Sequence, residues 1–275
     1  MNTSRLRAPR VVAVVILAAL ACLAPSSARG QFASLLDTTA RYAGGSTGSN
    51  LFNGDTGVAT ATDLNVPSYV VFDSLGNLYI SDTLNNCVRK VALNGTVSTV
   101  AGLRVSGNPS DTCNSTINPA PTAVQGLLAP TGLAIDGNNT LYIADSQHNC
   151  VRSLASGVVD SFAHPALTTV AGTCTFVNTS SVTPVPDGLA VDSSSNLYIS
   201  IVDSLTANPV YQVVRHLASD PATTICAVAG ELSLNAANTL CAGITGTVAL
   251  DRPAGLVFDK NGNLFIADSN NDCVR

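Results

Sequence analysis

The chain has 275 residues, 46% of them hydrophobic and only 11% charged, with a formal net charge of −5. That is material for one large all-β domain or two small ones, with little to solvate helical faces. The acidic balance argues against a phosphate-rich partner, and the lack of tryptophan with only 5% aromatic residues argues against stacking platforms, so no nucleic-acid partner is expected.

Residues 1–28 read as a signal peptide. Arg5, Arg7 and Arg10 form a positive head, and Val11 to Ala24 is an apolar run of 14 residues, short for a bilayer span. Ser26-Ser27-Ala28 offers small residues for cleavage, with Ala28-Arg29-Gly30 as a second choice and an uncleaved signal anchor as the alternative. Cleavage after Ala28 leaves 10 basic against 18 acidic residues, a net charge of −8. No later segment is long and apolar enough to span a membrane, so the mature chain is expected to be secreted.

Beyond the leader the chain is poor in helix formers. Glu231 is its one glutamate, Lys90 and Lys260 its two lysines, and Val, Thr, Asn and Gly abound. Such a composition favours strands and turns. Residues 29–66 read as an N-terminal strand and linker, in which Arg41-Tyr-Ala-Gly-Gly45 resembles the last strand of a repeat.

From residue 67 the chain repeats itself. The copies begin Pro67-Ser-Tyr-Val-Val-Phe-Asp73, Pro130-Thr-Gly-Leu-Ala-Ile-Asp136, Pro186-Asp-Gly-Leu-Ala-Val-Asp192 and Pro253-Ala-Gly-Leu-Val-Phe-Asp259, and they start 63, 56 and 67 residues apart. Each reads as a four-stranded antiparallel meander. Strand A is the apolar run ending in Asp73, Asp136, Asp192 or Asp259, and those carboxylates are turn formers first, calcium ligands only as a remote alternative. Strand B is Leu78-Tyr-Ile, Leu141-Tyr-Ile, Leu197-Tyr-Ile or Leu264-Phe-Ile. Strand C carries Val88-Arg89, Val151-Arg152 or Val214-Arg215, and strand D ends in Val-Ala-Gly. Asn94-Gly95 signals a two-residue hairpin joining C to D in the first copy. The blades are expected at 67–102, 130–172, 186–230 and 253–275, three complete and one partial. Val71, Ala134, Ala190 and Val257 should be equivalent, as should Tyr79, Tyr142, Tyr198 and Phe265. Leu78, Ile80 and their counterparts should pack between blades, with the tyrosine tip reaching solvent or a channel.

The run P-x-G-L-A-x-D, then G-N-L-Y-I-A-D-S, N-N-x-V-R and T-V-A-G resembles the NHL repeat of six-bladed β-propellers, over residues 41 to 275. The resemblance implies an all-β propeller whose sheets stack radially, and it implies little about activity. Three blades and a part suggest an open arc of a six-bladed parent, with Tyr42 far from Val274. A four-bladed ring closed by residues 41–45 against the last blade is the alternative. Related propellers include amidating lyases, with zinc held by histidines, and lactonase-like hydrolases, with calcium in a central channel. His148, His164 and His216 occupy three different repeat positions, and His148 alone is placed to face a channel. No phosphate-binding loop is present.

In an exported chain the seven cysteines left after Cys22 departs read as disulfide formers. Strands C and D run antiparallel, so Cys150 should pair with Cys174. Cys87 with Cys113 and Cys226 with Cys241 follow by elimination within blades, leaving Cys273 without a partner. Asn94, Asn114, Asn138 and Asn178 begin N-x-S/T sequons, candidate glycosylation sites. Asp82, Asp145 and Asp268, each seven residues before Arg89, Arg152 and Arg275, are either a ring of ligands or structural residues inside each blade, and the second reading is preferred. The function expected is an extracellular binding module for a protein or other ligand, with no catalytic, cofactor or metal residues assigned. A calcium- or zinc-dependent propeller enzyme is the alternative.

Overall fold

The computed structural model describes residues 41–45, 57–102, 127–155, 168–172, 185–203, 210–216, 225–230, 239–240 and 249–275. The expected leader lies outside them. Ala43–Arg275 form one compact unit, and no helix among the described residues is long and apolar enough to cross a membrane.

Four sheets follow one another along this unit. Sheet one is β1 (Pro67–Phe72), β2 (Leu78–Asp82), β3 (Cys87–Val91) and β4 (Val97–Gly102). Sheet two is β5 (Pro130–Ile135), β6 (Leu141–Asp145), β7 (Cys150–Leu154) and β8 (Thr168–Gly172). Sheet three comprises β9 (Val185–Val191), β10 (Leu197–Asp203), β11 (Val210–His216) and β12 (Ile225–Gly230), extended by β13 (Thr239–Leu240). Sheet four has β14 (Pro253–Phe258), β15 (Leu264–Asp268) and β16 (Cys273–Val274). Within each sheet consecutive strands pair antiparallel, apart from β13, which runs parallel to β12 with Thr239 beside Cys226. That parallel strand is absent from the simple meander expected. The first strands pack in series, β1 on β5, β5 on β9 and β9 on β14. This is β-propeller architecture.

The register carries the predicted equivalences. Val71 pairs with Tyr79, Ala134 with Tyr142, Ala190 with Tyr198 and Val257 with Phe265. Because strand side chains alternate, each sheet offers two faces, and both are apolar. Leu141 and Ile143 of sheet two pack with Val88, Val100 and Tyr79 of sheet one. Leu197 and Ile199 meet Ala134, Val151 and Tyr142 in the same way, and Leu256 and Ile266 meet Ala190, Val213 and Tyr198. Leu-x-Ile of one blade thus always packs on the Tyr face of the blade before it. In the first blade Ala43, Ala59 and Leu64 cover Leu78 and Ile80.

Strand C of blade 3 corrects the sequence alignment by one position. Ile80 faces Arg89 and Ile143 faces Arg152, but Ile199 faces Val214. Gln212 lies opposite Gly230 as Cys87 lies opposite Gly102. Val213-Val214, not Val214-Arg215, therefore corresponds to Val88-Arg89. Arg215 instead takes the place of Lys90, whose ammonium lies 5.5 Å from the Tyr79 ring centroid.

Two turns also differ from expectation. In the C–D hairpin Gly95 N donates to Ala92 O (2.8 Å), Ala92 N donates to Thr96 O (2.9 Å), and only Gly95 has positive φ, +80°. This is a three-residue loop, a type I turn closed by a glycine bulge, and not the two-residue hairpin. Residues 41–45 form no strand. Gly44 N donates to Ala59 O, Ala43 packs on blade 1, and among the described residues β16 pairs with β15 alone. The ladder that a four-bladed ring required between 41–45 and β16 is not made.

Candidate functional site

Each carboxylate singled out in the sequence has a structural partner inside its own blade. The first set closes the A–B turns. Asp73 Oδ1 accepts from Leu75 N (3.0 Å) and Asn77 N (2.8 Å), while Oδ2 accepts from Asn77 Nδ2 (2.7 Å) and Tyr79 Oη (3.3 Å). Asp192 repeats the arrangement, and Asp136 does so without the side-chain amide bond because residue 140 is threonine; Tyr142 and Tyr198 donate at 3.3 Å. Asp259 repeats all but the last bond, since Phe265 has no hydroxyl. Aspartate is suited here because a short carboxylate bonds its own backbone two and four residues on. The strand-B tyrosine tip therefore bonds to this turn. Burial and the neighbouring carboxylates push the Tyr79 and Tyr142 phenols up to about 12.

The second set ties strand B to the segment that enters the blade. Asp82 Oδ1 accepts from Asn65 N (2.7 Å), Asp145 Oδ1 from Leu128 N (2.7 Å) and Asp268 Oδ1 from Asp251 N (2.8 Å). The other oxygen takes the residue three positions on: Asn85 Nδ2 at 2.9 Å, His148 Nδ1 at 2.8 Å and Asn271 Nδ2 at 3.0 Å. It also faces the arginine seven positions on, with Arg152 Nε at 2.8 Å, Arg275 Nε at 2.6 Å and Arg89 Nη1 at 3.9 Å. Asp82, Asp145 and Arg89 are wholly buried. Burial pushes the Asp82 carboxyl up, opposed by the Asn65 amide, the Asn85 amide and Arg89. The preferred reading of these aspartates as structural residues agrees with this geometry. His148, expected to face a channel, is buried against Asp145. His164 lies outside the described residues, as does the side chain of His216. Among the described residues no cluster of three or more His, Cys, Asp or Glu could hold a metal ion.

Sequence reasoning missed the seam between blades. Ser81 Oγ donates to Thr131 O (2.5 Å), Thr83 Oγ1 to Pro130 O (2.8 Å), Ser146 Oγ to Pro186 O (2.6 Å) and Ser200 Oγ to Ala254 O (3.1 Å). Small hydroxyl residues at the end of strand B, each followed by a blade-opening Pro-x-Gly, were the available signal. The seam also explains that glycine. A Cβ at Gly132 would collide with the Asp187 carbonyl, and one at Gly188 with the Ala254 carbonyl. Blade 1 has Tyr69 in this position, and Tyr69 Oη donates to Leu256 O of blade 4 at 3.1 Å. The residue before the opening proline of blades 1, 2 and 4 was likewise missed: Val66, Ala129 and Arg252 all have positive φ, from +48° to +51°.

Cys150 is disulfide-bonded; its expected partner, Cys174, lies outside the described residues. Cys87 is buried and Cys273 exposed. Cys113, the expected partner of Cys87, lies outside the described residues. Cys174 follows Gly172, the register partner of Cys150, by two residues, whereas Cys113 follows Gly102, the partner of Cys87, by eleven. Cys241 and the side chain of Cys226 are outside the described residues, as are Asn114 and Asn178. Asn94 and Asn138 are both exposed in turns.

With the register, the seam and the buried Asp–Arg pairs in view, comparison with known proteins settles the affiliation. The model of the Teneurin NHL domain matches residues 49–275. The chain belongs to the Teneurin NHL domain family. Teneurin-3 of Danio rerio is 28% identical over 244 residues and Teneurin-4 of Mus musculus 29% identical over 244 residues. Each alignment takes in 81% of this chain and 8% of the relative, so the chain spans about a twelfth of the curated relatives it matches. Among solved structures it is similar to virginiamycin B lyase of Staphylococcus aureus, at 11% identity and a TM-score of 0.40 over 77% of this chain and 55% of that one. It is also similar to a gluconolactonase of Xanthomonas campestris, at 14% identity and a TM-score of 0.40 over 78% of this chain and 71% of that one.

Proposed function

We propose that this chain is an extracellular, non-catalytic interaction module, a propeller that presents its loop-bearing end to a protein or other extracellular ligand. The observation that carries the reading is the fate of the chemistry-bearing side chains. Asp73, Asp136, Asp192 and Asp259 are committed to turns, and Asp82, Asp145 and Asp268 to blade entry and to the arginine seven positions on. His148, the residue best placed in sequence for a channel metal, is held by Asp145. Perturbed titratable groups gathered in a cleft are the usual mark of catalysis, whereas here burial and pairing serve the blades. Membership of the Teneurin NHL family, the apolar leader and the disulfide at Cys150 support an extracellular setting.

The test uses the full chain produced by a eukaryotic secretory cell. Fluorescently labelled, purified protein should bind intact cells saturably and be displaced by unlabelled protein. It should hold no stoichiometric zinc or calcium by elemental analysis and show no hydrolysis of simple lactones with either ion added. A tightly held metal in one-to-one ratio, or metal-dependent lactone turnover, would overturn the reading.

A further inference from the structure

The turn end of blade 1 exposes two large aliphatic side chains with no packing role in the blade. Leu75, in the β1–β2 turn, is 70% exposed, and Leu93, in the β3–β4 turn, is 72% exposed. The turns are neighbours: a Cβ on Gly76 would stand 3.2 Å from Leu93 Cδ2. The next residue, Asn94, is exposed and opens the sequon Asn94-Gly95-Thr96. Its Oδ1 accepts from Thr96 N (3.1 Å) and Thr96 Oγ1 (2.7 Å), and its Nδ2 donates to no described residue. The amide is held by its oxygen with its nitrogen left to react. Asn138, also exposed, lacks this setting: no hydrogen bond joins it to Thr140, whose N–H goes to Asp136, and its neighbour Asn139 is tied to Ser74 of blade 1.

We infer that Asn94 carries an N-linked glycan whose first sugars lie over Leu75 and Leu93. The inference rests on the extracellular reading, because the donor is met only on the secretory route. In the transfer Asn94 Nδ2 forms a bond to the anomeric carbon of a polyisoprenyl-diphosphate oligosaccharide. The bond from that carbon to the diphosphate oxygen breaks, the lipid diphosphate leaves, and Nδ2 gives up one proton. The C–H face of a pyranose is apolar and can remove aliphatic surface from water. Successive strands run antiparallel, so the A–B and C–D turns share one end of the blade. The glycan therefore shields that end. The opposite end, with the turns at Thr83–Asn85, Ser146–His148 and Ser269–Asn271, lies away from the glycan.

The experiment is glycopeptide mapping of the full chain secreted by eukaryotic cells, with enzymatic release of glycans in heavy-oxygen water to mark each occupied asparagine. Asn94 is expected to be marked in most of the secreted chain. Thr96→Ala should remove that mark alone, and Thr96→Ser should keep it. Releasing the glycan should raise binding of an apolar fluorescent dye several-fold, and a Leu75→Ser, Leu93→Ser chain should show no such rise. A secreted chain bare at Asn94 but marked at other sequons, or dye binding unchanged by release, overturns the inference and leaves the extracellular reading standing. A chain retained in the cytosol with its leader intact overturns both.

Discussion

Tyr69 of the first blade and Leu256 of the fourth are 187 residues apart in sequence and joined by a 3.1 Å hydrogen bond from phenol to carbonyl. Tyr69 stands where the other blades have the glycine of Pro-x-Gly, so the repeat departs from its pattern where its first and fourth sheets touch. Tyr69→Phe keeps the ring and removes the donor. It should cost about 0.5–1.5 kcal/mol in urea denaturation, the net worth of one hydrogen bond. Gly188→Ala should cost more than Tyr69→Phe, because the added methyl meets the backbone carbonyl of Ala254 and the sheets must part. An ordering the other way round would show that blades 3 and 4 are not in close backbone contact.

Tyr79 and Tyr142 donate to Asp73 and Asp136 and are pushed up to about 12. The folded state thus holds these protons above the usual tyrosine value of 10. Stability should be fully present below pH 10 and be lost as pH rises from 10 through 12. Ultraviolet titration of phenolate absorbance should show the late phase, and Tyr79→Phe with Tyr142→Phe should remove it. A titration complete by pH 10.5 in the folded protein would refute the assignment.

The buried Asp145 gives a sharper test than its counterpart in blade 4. Asp145→Ala leaves Arg152 buried without its carboxylate and Leu128 N without an acceptor, a loss of about 3–5 kcal/mol. Asp268→Ala strands an arginine that is 37% exposed, and water can take up its charge. It should cost less than Asp145→Ala, because an exposed ion pair is worth little. Equal midpoint shifts in denaturation would contradict the difference in burial.

Four A–B turns need a positive φ at one position, filled by Gly76, Asn139, Ser195 and Gly262. Serine is the poorest of these residues in the left-handed region. Ser195→Gly should therefore stabilise by about 0.5–1 kcal/mol, while Gly262→Ser should destabilise by a similar amount. Opposite signs in thermal unfolding would mean that turn strain does not govern these positions.

The Cys150 disulfide is expected to close on Cys174. Proteolysis without reduction should yield one linked peptide holding both residues. Replacing both with serine should cost about 2–4 kcal/mol, chiefly through the unfolded chain. A linked peptide joining Cys150 to any other cysteine would sink the pairing.

The strands, their pairing and the core equivalences were legible because Leu-Tyr-Ile alternates with period two and each copy repeats it. Asp73 and its counterparts were legible as turn residues for a local reason, since their partners lie two, four and six residues away. The register of blade 3 was not. Val214-Arg215 copies the letters of Val88-Arg89, but the insertion after Ile201 moves the strand by one, and only the ladder opposite Ile199 reveals it. His148 was misplaced because a loop histidine cannot announce in sequence that the carboxylate three residues earlier is buried. The Tyr69–Leu256 bond and the seam of hydroxyls depend on where the next blade's backbone comes to rest, which no single copy encodes.

That seam bears on how such a protein can change over generations. At each junction a serine or threonine of one blade is received by a main-chain carbonyl of the next, at Thr131, Pro130, Pro186 and Ala254. A carbonyl belongs to every residue, so the receiving blade needs no particular side chain to be recognised. Copies can be duplicated, lost or exchanged, and can drift until little identity remains, while the hydroxyl, the glycine and the apolar faces still let neighbours dock.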